Sequence, residues 1–261
     1  MKISIITPSY NQAQFLKETI QSVISQKGDF KLEYIVMDGG SKDGSVKILK
    51  ETERKLKENK KISFSWVSEK DKGQSDAINR GIQKSTGEII GYLNSDDYYE
   101  PGCLAKTVER FKENKKKKWL TGYSRIVDIN GKKIQKATFI YKKLWLDRYS
   151  FDKLLVTNFI CQPSTFWRKE LFDKYGLFNE NFHYAMDYDF TLRIAKKNEP
   201  IIEKSILTNF RIHGQSKGGS SFDKQFAEDY AIARQYTGNS TLKALHKIHN
   251  GAIIAIYKII K

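Results

Sequence analysis

Asp96 and Asp97 close the segment Ile89-Ile90-Gly91-Tyr92-Leu93-Asn94-Ser95-Asp96-Asp97, in which a short apolar run breaks into a polar turn. Neighbouring carboxylates at the C-terminal end of a buried strand repel each other unless a cation sits between or beside them. Hard oxygen ligands suit Mg²⁺ or Mn²⁺, and such ions bind through one or two carboxylates plus substrate phosphates. The pair is therefore a candidate to hold a metal carrying a diphosphate, against the plainer reading of a solvated acidic turn. Asp38 ends the apolar run Tyr34–Met37 in the same way. Its carboxylate could accept from a base imide N–H or a ribose hydroxyl, or cap the next helix. Asp71 and Asp76 bracket Lys72-Gly73-Gln74-Ser75; either could cap a helix, while Lys72 or Arg80 could counter phosphate charge.

Two more positions invite chemistry. Met186-Asp187-Tyr188-Asp189 opens a helical stretch, where Asp187 is either a favourable N-terminal charge or a general base for an attacking hydroxyl. His213 sits in a glycine-bordered loop, Arg211-Ile212-His213-Gly214; it gains interest as a third metal ligand beside the Asp pair. His246 and His249, three apart near the C-terminus, read as surface or interface residues. Neither GxGxxG nor GxxxxGK[ST] occurs, which removes the ordinary dinucleotide and P-loop readings.

The elements that must position these residues alternate. Ile3–Ile6, Tyr34–Met37, Ile62–Val67 and Ile89–Leu93 read as strands. Helices with apolar faces are expected between them, including one from about Gln74 to Lys84. The order β-α-β-α-β-α-β argues for a parallel, three-layer α/β/α sheet. Polar groups recur at each strand's C-terminal end: Thr7 to Asn11, Asp38, Asp71, Asp96 and Asp97. Open α/β sheets collect ligands at that edge. Beyond a helix from Pro101 to about Asn114, Trp119–Ile134 reads as a β-hairpin turning at Asn130-Gly131. Phe139–Phe151 is an aromatic, basic region followed by a short helix near Phe151–Val156. Ile160–Trp167 reads as an edge strand because it carries Pro163. Helices over Arg168–Tyr175 and Met186–Lys196 and a strand over Ile201–Phe210 follow.

The 261 residues include 46 Lys and Arg against 30 Asp and Glu, a net charge of +16. That balance favours polyanionic partners such as phosphorylated substrates or anionic lipid. With 39% hydrophobic residues the chain can bury a core, which excludes wholesale disorder. Cys103 and Cys161 make no disulfide framework, in keeping with a reduced cytoplasmic setting. The N-terminal apolar run is too short for a signal peptide, and no segment approaches the ~20 apolar residues of a membrane span. The last helix, about Thr241 to Lys261, gathers Leu242, Leu245, Ile248, Ile253 and Ile256 into an apolar face rimmed by Lys243, Lys247 and Lys258. Such a helix lies on an anionic membrane surface, or packs on its own domain or a partner chain.

These residues, in this order, closely resemble the family 2 glycosyltransferases with the GT-A fold. The matching pieces are TPSYNQAQFLKETIQSVISQ, EYIVMDGGSKDGS, SEKDKGQSDAINRGIQKSTGEIIGYLNSDDYYEPG, QPSTFWRKELFDKYGLFNENFHYAMDYDFTLRIA and FRIHGQSKG, from Ile3 to about Lys217. The resemblance implies a Rossmann-like α/β/α sandwich with a mixed sheet plus C-terminal helices. It also implies inverting transfer of a sugar from a nucleotide diphosphate donor, with UDP favoured and Mn²⁺ or Mg²⁺ as cofactor. The acceptor it implies is a hydroxyl of a glycan or lipid-linked saccharide in surface polysaccharide or cell-wall glycan synthesis. Carried over by position, Thr7, Pro8 and Tyr10 line the nucleotide pocket, Asp38 bonds the base and Asp71 helps hold the nucleotide. Asp97 is the metal ligand, Asp96 lies nearer the ribose and shares the ion, and His213 approaches the metal or pyrophosphate. Asp187 matches the catalytic base.

Two departures qualify this. Asn94 and Ser95 precede the Asp pair where many relatives place an acid first, and Met186 stands where a glutamate precedes the base, which makes Asp189 a rival for that role. The expected organisation is a glycosyltransferase domain over 1–220, its nucleotide-binding half being 1–100 and its acceptor half 101–220. A helical extension over 221–261 follows. A cytoplasmic protein, peripheral at the inner membrane face and without nucleic acid partners, is the reading, with a homodimer as a further expectation. The alternatives are a catalytically inactive sugar-nucleotide or glycan-binding module on the same fold, and a nucleotidyltransferase.

Overall fold

The computed structural model describes residues 1–214, 216 and 222–260. Gln215 and Lys217–Gly219 of the loop read above lie outside the described residues, as do the side chains of Ile256, Lys258 and Ile259–Lys261. By compactness the chain forms two units. The first comprises Met1–Arg125, Cys161–Leu177 and Pro200–Phe210; the second comprises Ile126–Ile160, Phe178–Glu199 and Arg211–Lys261.

The first unit begins as the expected alternation: β1 (Lys2–Ser9), α1 (Ala13–Ile24), β2 (Lys31–Asp38), α2 (Ser45–Leu56), β3 (Ile62–Ser68), α3 (Gln74–Lys84) and β4 (Ile89–Tyr92). The apolar runs of β1, β2 and β4 are buried throughout, as strands covered on both faces must be. β1 pairs in parallel with β2 and β4, and β2 with β3, so Ser9 stands beside Asp38 and Ile6 beside Tyr92. All four strands therefore end at one edge. β5 (Tyr98–Tyr99), α4 (Cys103–Glu113) and β6 (Trp119–Val127) follow, and later β7 (Thr165–Arg168), α7 (Glu170–Tyr175) and β8 (Ile201–Arg211). Among the described residues eight strands form one sheet in the order β3-β2-β1-β4-β7-β6-β8-β5. β7 runs antiparallel to β4 and β6, which makes the sheet mixed. Ile3, Ile5, Leu16, Ile20, Val36 and Phe166 belong to its core cluster, and burying each such side chain contributes roughly 1.5–3 kcal/mol.

The edge-strand reading of Ile160–Trp167 is corrected. Pro163 sits in a 3-10 turn, Gln162–Ser164, and the strand begins only at Thr165. The missing N–H thus falls outside the ladder, and β7 lies inside the sheet. Its close neighbour is Gly91, where an added Cβ would come 2.7 Å from a Phe166 ring carbon. The hairpin expected over Trp119–Ile134 is reduced: β6 turns at Asp128–Gly131, and the returning arm makes only a bridge at Lys133.

The second unit is helical among its described residues. It holds α5 (Lys136–Asp147), α6 (Phe151–Val156), α8 (Met186–Ala195), α9 (Phe222–Tyr236) and α10 (Ser240–Ile260). The aromatic stretch read without structure is α5. His246 is 1% exposed, with Nδ1 2.7 Å from the Leu155 carbonyl and Nε2 2.9 Å from Asn250 Nδ2. His249 Nε2 lies 2.7 Å from the Tyr141 hydroxyl. The reading of these two as surface or interface residues is corrected for His246, which is buried within its own unit, while His249 is half-buried and Leu245 and Ile248 stay exposed.

Candidate active site

The loops at the C-terminal edge of β1 to β4 are laced together. Asp38 is buried, and its Oδ2 accepts from Gly40 N (3.2 Å), Ser41 N (2.9 Å) and Ser68 Oγ (2.6 Å). Asn11, in the left-handed region at φ 52°, donates its N–H to Ser41 Oγ and accepts from Lys42 N through Oδ1. Asp43 takes the capping work, with Oδ1 accepting from Ser45 N at 3.1 Å and Oδ2 from Ala13 N at 2.8 Å. Asp38 is therefore no cap for α2, and its carboxylate orders the loop it ends.

Asp71 lies against that loop. A Cβ on Gly39 would come within 2.7 Å of Asp71 Oδ2, so only glycine permits this approach. Burial pushes the Asp71 carboxyl up, the Gly73 N–H bonded to it pulls down, and Asp76 and Asp38 push up again; the net direction is upward. Three carboxylates in mutual reach make a negative field that N–H and O–H donors or a cation relieve. Tyr10 stands at this rim, 62% exposed and 3.3 Å from where a Gly39 Cβ would be. The Thr7 side chain is fully buried, with Oγ1 3.1 Å from the Tyr34 hydroxyl. Pro8 is buried as well. Of the three expected lining residues only Tyr10 offers its side chain to solvent.

The acidic turn after β4 is held from α1. Thr19 Oγ1 donates to the carbonyls of Ser95 (2.8 Å) and Asp97 (2.7 Å). Asp97 is 0% exposed, and its Oδ2 lies 3.3 Å from Asn94 Nδ2. Asn94 Oδ1 in turn accepts from Gln74 Nε2 at 2.7 Å. Asp96 is half-buried. Sequence reading missed Thr19, Gln74 and Asn94 as supports, since tertiary hydrogen bonds leave no local pattern. An open cleft of about 600 Å³ lies at the opposite edge, lined by Lys2, Lys31, Lys57, Lys60 and Lys61 at the strand starts. It shares no residue with the acidic loops.

In the second unit, Asp187 and Asp189 occupy the first turn of α8. Asp189 is buried, ion-paired with Arg193, and accepts the Tyr236 hydroxyl at 2.6 Å. Asp187 is half-buried. His213 is half-buried, and its backbone exchanges hydrogen bonds with Ser216 Oγ. Among the described residues no three His, Cys, Asp or Glu side chains form a group able to hold an ion. Of the expected set, Asp96 and Asp97 belong to the first unit and His213 to the second.

Residues 4–176 match the profile of Glycosyl transferase family 2, and the chain belongs to that family. It is 31% identical over 192 residues to the PGL/p-HBAD biosynthesis glycosyltransferase of Mycobacterium bovis, a match covering 73% of this chain and 68% of that one. Its fold resembles S. aureus TarS residues 1–349, solved with UDP-GlcNAc, at a TM-score of 0.67 and 19% identity over 94% of this chain and 69% of that one. It likewise resembles the mannosyltransferase PcManGT of Pyrobaculum calidifontis, solved with GDP-Man and Mn²⁺, at a TM-score of 0.69 and 18% identity over 96% and 68%. The expected GT-A fold is the fold observed. The family match ends at residue 176, ahead of Asp187, Asp189 and His213.

Proposed function

We propose that this chain is an active inverting glycosyltransferase that moves a sugar from a nucleotide diphosphate donor, UDP-linked in the first instance, to an acceptor hydroxyl. The observation that carries the reading is the acidic rim formed by Asp38, Asp71, Asp96 and Asp97 where parallel strands end. Asp38 and Asp71 are assigned to the donors of the base and ribose, and Tyr10 to the base's face. The turn Asn94–Asp97 fits a hard divalent ion: one half-buried and one buried carboxylate suit an ion that arrives with the diphosphate and completes its shell there. Bound, Mn²⁺ or Mg²⁺ would stabilise the charge that develops on the leaving diphosphate. Asp96 and Asp97 would hold it, with His213 as the further candidate ligand.

Asp187 is assigned as general base. The acceptor oxygen attacks the anomeric carbon, the bond from that carbon to the phosphate oxygen breaks, and the hydroxyl proton passes to the Asp187 carboxylate. Asp189 is a poor rival because Arg193 and Tyr236 already engage both its oxygens. We assign the acceptor to surface-polysaccharide or lipid-linked glycans, a reading supported by the naming of the Mycobacterium bovis relative as a PGL/p-HBAD biosynthesis glycosyltransferase. We assign α10 to an anionic membrane surface: Leu245 and Ile248 are exposed on a helix that also carries Lys243 and Lys247, and α5 adds exposed Ile140 and Leu144. Among the described residues no helix is long and apolar enough to cross a membrane.

The test is release of nucleoside diphosphate from a panel of UDP- and GDP-sugars with Mn²⁺, followed for the native chain and Asp187→Asn. Metal-dependent release that Asp187→Asn abolishes supports the reading. Binding of UDP with no release from any donor would support an inactive binding module, and release of pyrophosphate would support a nucleotidyltransferase.

A further inference from the structure

The N-terminus of α8 has no cap of its own. Its N-cap position is Ala185, which has no side chain able to accept from the exposed N–H groups. The acceptor comes instead from α9. Glu228 Oε1 accepts from His183 N at 2.9 Å, and Oε2 from Tyr184 N at 2.6 Å and Ala185 N at 2.7 Å. One carboxylate thus fixes the three residues that lead into Met186-Asp187. The next residue on α9, Asp229, is 3% exposed, and its Oδ1 has no hydrogen-bond partner. Two turns on, Tyr236 of the same helix reaches Asp189.

We propose that Glu228 and Asp229 are positioning residues for Asp187, so that α9 is part of the catalytic apparatus. This rests on the assignment of Asp187 as base. Glu228 sets the backbone that aims Asp187. Asp229 sets a buried carboxyl within electrostatic reach of Asp187, where a second full charge would repel the base. Burial is the main force pushing the Asp229 carboxyl above its ordinary range, and the Asp187 charge acts next in the same direction. Glu228 adds to it, while Lys142 and a hydrogen bond with Asn158 oppose it.

The experiment uses the full chain with ¹³C-carboxyl aspartate, and compares native protein with Asp187→Asn, Asp229→Asn and Glu228→Gln. In native protein one carboxyl, absent from the spectrum of Asp229→Asn, should titrate well above the ordinary aspartate range. Asp187→Asn should move that midpoint down, because the charge that raises it is gone. Glu228→Gln should speed amide exchange at His183–Ala185, by on the order of tenfold for one weakened carboxylate acceptor. With a turned-over donor and Mn²⁺, Glu228→Gln should lower kcat with KM for the donor unchanged. It should add no further loss in the Asp187→Asn background. A midpoint for Asp229 that ignores Asp187, or losses that simply add to those of Asp187→Asn, would overturn the proposal. If Asp187→Asn keeps full turnover, the base assignment fails instead, and the titration still reports whether the two carboxyls are coupled. Melting curves identify any variant that does not fold, and the isosteric Asp229→Asn is expected to fold.

Discussion

The turn after β4 and the first turn of α8 each present two aspartates, and they handle the like-charge problem in opposite ways. At Asp96–Asp97 the residues are adjacent in a turn that Thr19 clamps by the Ser95 and Asp97 carbonyls, while Asn94 donates to the Asp97 carboxylate. On α8 the two are separated by one residue, which on a helix turns their side chains well apart. Asp189 enters the interior and is neutralised by Arg193 and Tyr236, while Asp187 faces the second buried acid, Asp229. The first arrangement suits an ion and its phosphates. The second suits a single proton acceptor whose neighbours are fixed.

Substitutions can break that contrast. Asp187→Asn should lower turnover by roughly 10²–10⁴-fold, the usual worth of a positioned general base, with UDP affinity by calorimetry unchanged. Asp189→Asn should instead act on the fold. Removing one charge of a buried pair leaves Arg193 uncompensated and costs about 3–5 kcal/mol, readable as a lower urea midpoint. If Asp189→Asn stays stable but loses turnover as Asp187→Asn does, the two roles have been assigned the wrong way round. On the turn, Thr19→Val removes the hydroxyl proton shared by two carbonyls and should cost about 1–3 kcal/mol. It should weaken metal-supported UDP binding more than it weakens binding in EDTA.

A pH experiment sharpens the α8 side. The Asp229 carboxyl is held above its ordinary value, so the folded chain binds that proton more tightly than the unfolded chain. The favourable contribution is full below the unfolded value of about 3.9 and is lost as pH rises toward the folded one. The melting temperature of Asp229→Asn relative to native protein should therefore climb with pH above about 4; a flat difference would mean Asp229 ionises normally. The smallest effect is expected for membrane association. Deleting residues 239–261 should reduce co-sedimentation with anionic vesicles at low salt and leave UDP binding intact, whereas equal sedimentation would count against α10 as the contact.

Much of the first unit was legible because its signals are local. The helix over Gln74–Lys84 and the buried runs of β1, β2 and β4 follow from periodicity and stand as read. So does the gathering of Asp38, Asp71 and the Asp pair at one edge, which needs only parallel strands. What failed was positional. Pro163 signalled an edge, yet it falls one residue pair before the strand. Phe139, Tyr141 and Trp145 favour strands by propensity, and packing against Phe159 and His249 overrides that in α5. In α10 the sequence marks the apolar face but not which face is buried, and the docked side carries His246 and Asn250. Asp229 had a usable signal: it shares the α9 face of Ile232 and Ala233, an acid at a core position.

The central claim is that carboxylates at the strand ends hold a cation-bound diphosphate. Titrating UDP into native protein and Asp97→Ala, each with Mn²⁺ and with EDTA, measures it most directly. The account predicts that Mn²⁺ tightens binding to the native chain severalfold or more and leaves the variant unchanged. Equal gains from Mn²⁺ in both proteins would contradict it.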